Sequence, residues 1–303
     1  MYLRRIISPV AAVVAAVVAA GSLSACSSAS STNETAGEDR PIVIGTTDAE
    51  LPEWQVLEDL AKKEGIEIEM RNFTDYATPN QSLAEGDTDT NKFQHLKFLS
   101  EYNVGNGTNL VPVASTQIYP MPLFWKDHDS LDGIEGQQVA IPNDPTNQAR
   151  SLNLLASQGL LKLKEDDLLT PTPADIDEGA SKVSVAPVDA AQTPSAYGEG
   201  KPAVITNSFF ERANIDPSQA ILYDEPDSPG ANPEVMFEPY INVWAVQEKD
   251  KDNPKVKRLA ELYLSDEVKA AVQKTTGGTT IFVDKPQAEL QQILDRLEEE
   301  ASK

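Results

Sequence analysis

Arg150 is the side chain whose chemistry can be read from its surroundings. It closes the stretch Ala140-Ile141-Pro142-Asn143-Asp144-Pro145-Thr146-Asn147-Gln148-Ala149-Arg150, which reads as a strand end, a sharp turn and a helix start. A helix N-terminus presents N–H groups with no partner inside the helix and so favours an anion. An arginine one turn in can fork two hydrogen bonds onto a carboxylate or phosphate. Asn147 lies three residues before Arg150 and shares its face. Carboxylate capture is the chemistry these types suggest, although spacing alone favours a plainer reading, an arginine paired with a nearby Asp. Tyr76, Phe93 and His95 fall near expected strand ends, where ligands bind in open parallel sheets. The competing reading makes both rings core and His95 a polar residue at a helix start.

The elements that must hold these residues follow from periodicity and punctuation. Residues 137–141 form a short strand that Pro142 ends, because proline cannot continue a ladder. Asp144 is a favoured N-cap and Pro145 fits the first helical position, where its missing N–H costs nothing. Ala149, Leu152, Leu155 and Ala156 then make an apolar stripe that can dock on a sheet, and Gly159 is the expected stop. Earlier in the chain, a strand at 42–45, a helix at 51–64 carrying Trp54, Leu57, Leu60 and Ala61, and a strand at 66–70 make a βαβ unit and so a parallel sheet. A loop at 73–80, a short helix at 81–85, a brief strand at 88–91 and a helix at 93–102 come next.

Residues 110–115 and 119–125 are extended and apolar and read as the connection leaving a first lobe, with Pro120 and Pro122 limiting central pairing. A second α/β series takes in 137–141, 183–188 and 203–205, while 213–234 is loop-heavy. A strong strand at 240–246 carries the chain back, and helices at 254–263, 267–274 and 287–301 complete it. Two crossings with a lobe inserted between them predict a hinged, bilobal α/β protein. Lobe 1 takes residues 41–118 and 245–303, and lobe 2 takes 119–244 including the hinge crossings.

Composition narrows the function. Residues 1–25 have Arg4 and Arg5, an apolar run of about fifteen residues, then Leu23-Ser24-Ala25 before Cys26, which is a signal peptide too short to be a comfortable span. Small residues before the chain's one cysteine resemble the bacterial lipobox, in which that cysteine is acylated and becomes the mature N-terminus. Residues 26–40, rich in Ser, Thr, Gly, Asn and Glu, are the flexible tether. The formal charge is −23, or −25 without Arg4 and Arg5, and so acidic a surface argues against nucleic acid as a partner. No nucleophile elbow, phosphate loop or free cysteine nucleophile marks an enzyme. Asp127-His128-Asp129 is a lone cluster in a loop and no metal site, and no cofactor is expected.

With these pieces assembled, the chain resembles the methionine-binding lipoproteins, the solute-binding components of bacterial methionine ABC importers. The matching stretches are Asp75-Tyr76-Ala77-Thr78-Pro79-Asn80, Phe93-Gln94-His95, Ala140 to Arg150, Ala190-Ala191-Gln192, Pro239-Tyr240-Ile241-Asn242 and Leu264-Ser265-Asp266-Glu267-Val268, in the family order. The resemblance implies a two-lobed, Venus-flytrap periplasmic-binding-protein fold (type II) that closes on an amino acid. The partners it implies are L-methionine or a close derivative, an ABC permease with its ATPase, and the membrane through the Cys26 anchor, with the protein a monomer on the extracytoplasmic face. Carried over by position, Arg150 pairs with the ligand carboxylate with Asn147 beside it, Asn242 holds the amino-acid backbone, and Tyr76, Phe93 and His95 line the side-chain pocket. Two departures stand out. Val204-Ile205-Thr206-Asn207 replaces the common Val-Ile-Asn, leaving Thr206 or Asn207 to contribute at the ligand, and Lys92-Phe93 replaces an aromatic pair.

Overall fold

The structure is a computed structural model that describes residues 40–165, 168, 170–226 and 233–303. The signal peptide at 1–25, the acylation position Cys26, most of the tether and part of the loop at 213–234 lie outside the described residues. In chain order the strands are β1 (Ile42–Thr46), β2 (Ile68–Asn72), β3 (Thr90–Asn91), β4 (Leu110–Ser115), β5 (Gln117–Ile118), β6 (Pro122–Phe124), β7 (Gln138–Pro142), β8 (Ser184–Val188), β9 (Ala203–Val204), β10 (Ala220–Tyr223), β11 (Val243–Gln247) and β12 (Ile281–Phe282). The α-helices are α1 (Pro52–Lys63), α2 (Pro79–Glu85), α3 (Leu96–Asn106), α4 (Pro145–Ser157), α5 (Thr193–Gly198), α6 (Phe210–Ala213), α7 (Pro233–Met236), α8 (Pro254–Tyr263), α9 (Asp266–Thr275) and α10 (Gln287–Ala301).

Two mixed five-stranded sheets result. The first has the order β2-β1-β3-β11-β4, parallel among β1, β2 and β3 and antiparallel where β11 meets β3 and β4. The second has the order β10-β6-β9-β7-β8, with β7 parallel to β8 and β9, and β6 antiparallel to β9 and β10. β11 is covered on both faces and reads as a nearly continuous apolar run, whereas the edge strands β2 and β8 stay partly exposed. In β11, Val243 and Ala245 pack with Leu96, Leu290 and Leu294, while Trp244 and Val246 turn to Trp54, Leu57 and Leu259. In β7, Val139 and Ile141 meet Leu152 and Leu155 of α4, while Ala140 faces Phe124, Ile205 and Phe210.

Four expectations are corrected. The loop-heavy stretch at 213–234 contains β10, a four-residue edge strand paired with β6 and masked by the turn residues around it. β4 is a full ladder partner of β11 and not merely a connection. β6 is interior despite Pro122, which is tolerated because it opens the strand. The helix expected from Phe93 begins at Leu96, because residues up to His95 are extended and His95 itself caps it. The chain then passes between the sheets by way of residues 116–121 and returns through Asn242. These two connections are bonded together: Thr116 N donates to Asn242 O and Asn242 N to Gln117 O, each at 2.8 Å.

Helix α4 carries both Asn147 and Arg150, and its local code is read as expected. Asp144 accepts Asn147 N–H at 2.9 Å, and Pro145 occupies the first turn. Leu152 and Leu155 are fully buried. Replacing Leu155 by Ala should cost about 2–5 kcal/mol in urea denaturation, since it leaves a cavity between α4 and its sheet. An unchanged midpoint would show that the helix is held by something else.

Candidate ligand-binding site

Between the two sheets lies a small cavity, with about 40 Å³ of free volume. Tyr76, Phe93, His95, Asn147, Arg150, Thr206, Asn207 and Asn242 all line it, joined by Gln94, Phe98, Tyr119, Pro120, Met121 and Pro122. Sequence reasoning misses these last six. Phe98 sits one helical turn beyond His95, which is a usable signal; Met121 and Tyr119 belong to the connection between the sheets.

Arg150 is 6 % exposed and does not wait there as a free cation. Its Nε donates to Asp224 Oδ2 at 2.6 Å and its Nη2 to Asp224 Oδ1 at 3.0 Å, a two-point fork. Nη2 also donates to the Tyr119 carbonyl oxygen at 3.0 Å, and the guanidinium lies 4.1 Å from the Tyr240 ring centre. Both sides of the sequence-based choice therefore meet in one residue: Arg150 is paired with an Asp, yet it is buried and lines the cavity. Among the described residues, its Nη1 makes no hydrogen bond to protein. Asp224 lies 74 residues away, just past the strand β10 that sequence does not reveal, and so gives no signal of its own.

At the other end, Tyr76 lies 6.1 Å from both Phe93 and Phe98 and 5.4 Å from Phe209, ring centre to ring centre. These edge-on and tilted contacts build an aromatic wall with polarizable faces. The Tyr76 hydroxyl bonds to Thr206 Oγ1 at 2.9 Å, so Thr206 joins the two sides of the cavity.

His95 has an extended backbone and caps α3 by accepting Phe98 N–H on Nδ1 at 3.1 Å. Burial first, and the Arg150 charge next, pull its pKa down to about 3. The ring is neutral, and with Nδ1 accepting, its proton sits on Nε2, 3.5 Å from Asn147 Oδ1. The Asn147 amide donates in turn to both Asp144 oxygens, at 3.0 and 3.1 Å. Burial pushes the Asp144 carboxyl up, and these same bonds hold it back. The cavity thus offers one compensated cation, several amides, a neutral imidazole and aromatic faces. That set suits a zwitterion with an apolar side chain. Elsewhere, His128 of the acidic cluster stacks on Trp125 and donates to Lys126 O at 2.8 Å.

The NlpA lipoprotein family profile matches residues 42–283, which is nearly all of the described fold. The chain belongs to the NlpA lipoprotein family. One relative is the D-methionine-binding lipoprotein MetQ of Salmonella typhi, 35 % identical over 245 residues, which are 79 % of this chain and 86 % of that protein. Protein PG110 from Staphylococcus aureus superposes with a TM-score of 0.76 at 34 % identity, covering 84 % of this chain and 99 % of that one. A nutrient binding protein from Burkholderia cenocepacia, solved bound to methionine, gives 0.70 at 36 % identity, covering 80 % and 99 %. The two-lobed α/β fold of the NlpA lipoproteins is accordingly that of substrate-binding proteins, and the family is not one of enzymes.

Two measurements probe the electrostatics. A histidine whose folded pKa is depressed contributes stability that is fully present above its unfolded value of 6.5 and is lost as pH falls toward about 3. Across that window the parent should lose up to ~1.4 kcal/mol per pH unit more than His95→Gln; equal slopes would mean that His95 protonates freely in the fold. Asp224→Ala should lower unfolding free energy by about 3–5 kcal/mol, because it strands a buried guanidinium. A loss within the range of an exposed pair, about 1 kcal/mol or less, would show that water reaches Arg150.

Proposed function

We propose that this protein captures methionine in the cavity between its lobes and delivers it to an ABC importer. The observation that carries this reading is the convergence on one cavity of the six residues matched to the family pattern and of Thr206 and Asn207, which depart from it, with a cation at one end and aromatic faces at the other. Arg150 presents Nη1 to the ligand carboxylate, with the amides of Asn147 and Asn242 beside it. Tyr76, Phe93 and His95 take the thioether, for which aromatic contacts are worth roughly 0.3–1.5 kcal/mol each. Thr206 keeps Tyr76 in place, and Asn207 supplies an amide near the ligand.

The lobes follow the expected boundaries, 41–118 with 245–303 and 119–244, except that Val243 and Trp244 of β11 go with the first sheet, and the two bonded connections act as the hinge. Closure brings together Tyr76 and Thr206, His95 and Asn147, and Thr47 and Ser208, the last pair 3.2 Å apart. Acylated Cys26 anchors the monomer to the extracytoplasmic face of the membrane, and the tether lets the globule reach a permease driven by a cytoplasmic ATPase. The lipoprotein family and the transport-related relatives support this part.

A methionine-containing dipeptide is the second reading. The observation that favours it is a second cavity, of about 330 Å³, that shares Tyr76 and Phe98 with the first and runs between Glu101 and Tyr102 on one side and Asn143 to Thr146 on the other. A ligand longer than one amino acid has room to extend past the aromatic wall.

Isothermal titration of L-methionine into residues 27–303, stripped of carried-over ligand by unfolding and refolding, tests the proposal. Saturable binding is expected in the parent. Arg150→Ala should weaken it by at least about a hundredfold, the cost of a charge-assisted pair of roughly 3 kcal/mol. Silence from a correctly refolded parent overturns methionine as the ligand, and tighter binding of a dipeptide than of the free amino acid selects the second reading.

A further inference from the structure

Lys92 is 1 % exposed. Its ammonium group faces three rings, lying 4.7 Å from the centre of Tyr263, 5.6 Å from Tyr119 and 5.7 Å from Trp54. It makes one hydrogen bond, donating to Tyr119 Oη at 3.4 Å. Two buried acids supply its counter-charge. Asp48 is fixed by Trp54 Nε1 at 2.9 Å and Thr46 Oγ1 at 2.6 Å, while Glu53 Oε2 has no protein partner. Burial pulls Lys92 down and these two carboxylates resist it; burial lifts Glu53 to about 7, with Asp48 and Glu211 adding to the rise and Lys92 opposing it. A cation so placed is costly, and an aromatic or aliphatic side chain would fill the space at less expense.

What sets Lys92 apart from a filler is the residue it holds. Tyr119 belongs to the connection between the sheets. Its phenol is gripped by Lys92 and by Gln117 Nε2, and its carbonyl oxygen accepts Arg150 Nη2 at 3.0 Å. One residue therefore ties the buried cation on one side to the guanidinium in the ligand cavity on the other.

We propose that Lys92 is a positioning residue of the ligand site: by holding Tyr119 from beneath, it fixes the carbonyl that orients Arg150 in the cavity. The ligand-affinity part of this inference rests on the methionine reading; the orientation of Arg150 does not.

The experiment uses the full chain in detergent and two readouts. One is the Arg150 Nε–H resonance of the ligand-free protein, assigned by its loss in Arg150→Lys. The other is methionine affinity. Lys92→Met should shift or broaden that resonance and weaken methionine by about tenfold, the equivalent of 1.4 kcal/mol. Tyr119→Phe, which removes only the phenolic oxygen, should reproduce both effects. The double variant should be no worse than the stronger single one, as expected of residues acting through one contact. Trp54→Phe loosens the same cage and should lower Tm while leaving both readouts at parent values. Lys92→Met that loses stability alone, or Trp54→Phe that moves both readouts equally, overturns the proposal. Should Lys92→Met not fold, Gln117→Leu, which removes the other donor to the phenol, is set beside Tyr119→Phe. Gln117→Leu at parent values with both readouts moved in Tyr119→Phe leaves Lys92 as the group acting through the phenol, and Gln117→Leu moving both as far as Tyr119→Phe overturns the proposal. A parent that binds no methionine defeats the functional reading, and the resonance still decides the role of Lys92.

Discussion

The buried fork between Arg150 and Asp224 is the constraint on which the site depends. Removing both charges from water costs several kcal/mol per ion, and only good geometry with further hydrogen bonds offsets it. Here the fork is two-pointed, the Tyr119 carbonyl takes a further N–H, and the Tyr240 ring covers the guanidinium face. These partners come from separate parts of the chain: helix α4, the end of β10, the outgoing connection and the segment before the return. One guanidinium thereby sets the relative positions of four segments, and the polar end of the cavity takes its shape from them.

Charge balance comes from the same pair. Asp224 matches the charge of Arg150 through a two-point fork, so the donor edge at this end of the cavity is fixed in place. The neighbouring histidine is kept neutral by burial and by that same cation, which lets it cap α3 and present a single N–H toward Asn147. Contacts that join the two sides of the cavity include the polar pairs Thr47 with Ser208, Tyr76 with Thr206 and, partly exposed, Arg212 with Glu50 at 2.7 Å, and also the ring contact of Tyr76 with Phe209. Within each side the sheet packs against apolar clusters, and the first side also buries Lys92, Asp48 and Glu53.

Much of the local architecture is legible in the residues. The cap at Asp144, the proline behind it, the apolar stripe and the arginine one turn in are all encoded within a dozen positions, because helix capping and helical periodicity act between near neighbours. The helices at 254–263 and 287–301 are legible to their ends for the same reason. Less legible are β10, hidden among turn residues, and the extended run before α3, where a histidine does the work usually given to Ser or Asp.

By itself, then, the sequence determined the two-sheet α/β plan, the helix that carries Arg150, and the set of aromatics, amides and cation suited to a zwitterion with an apolar side chain. Local propensities and alternation along strands suffice for the plan and the helix, whereas the set of site residues came from the resemblance to the methionine-binding lipoproteins. Tertiary structure alone decided that Asp224 would be the partner of Arg150, that Thr206 would bond Tyr76 across the cavity, and that Lys92 would be buried among Trp54, Tyr119 and Tyr263. Each of these joins residues far apart in the chain, and the strength of such an interaction depends on burial, which no short window of sequence contains.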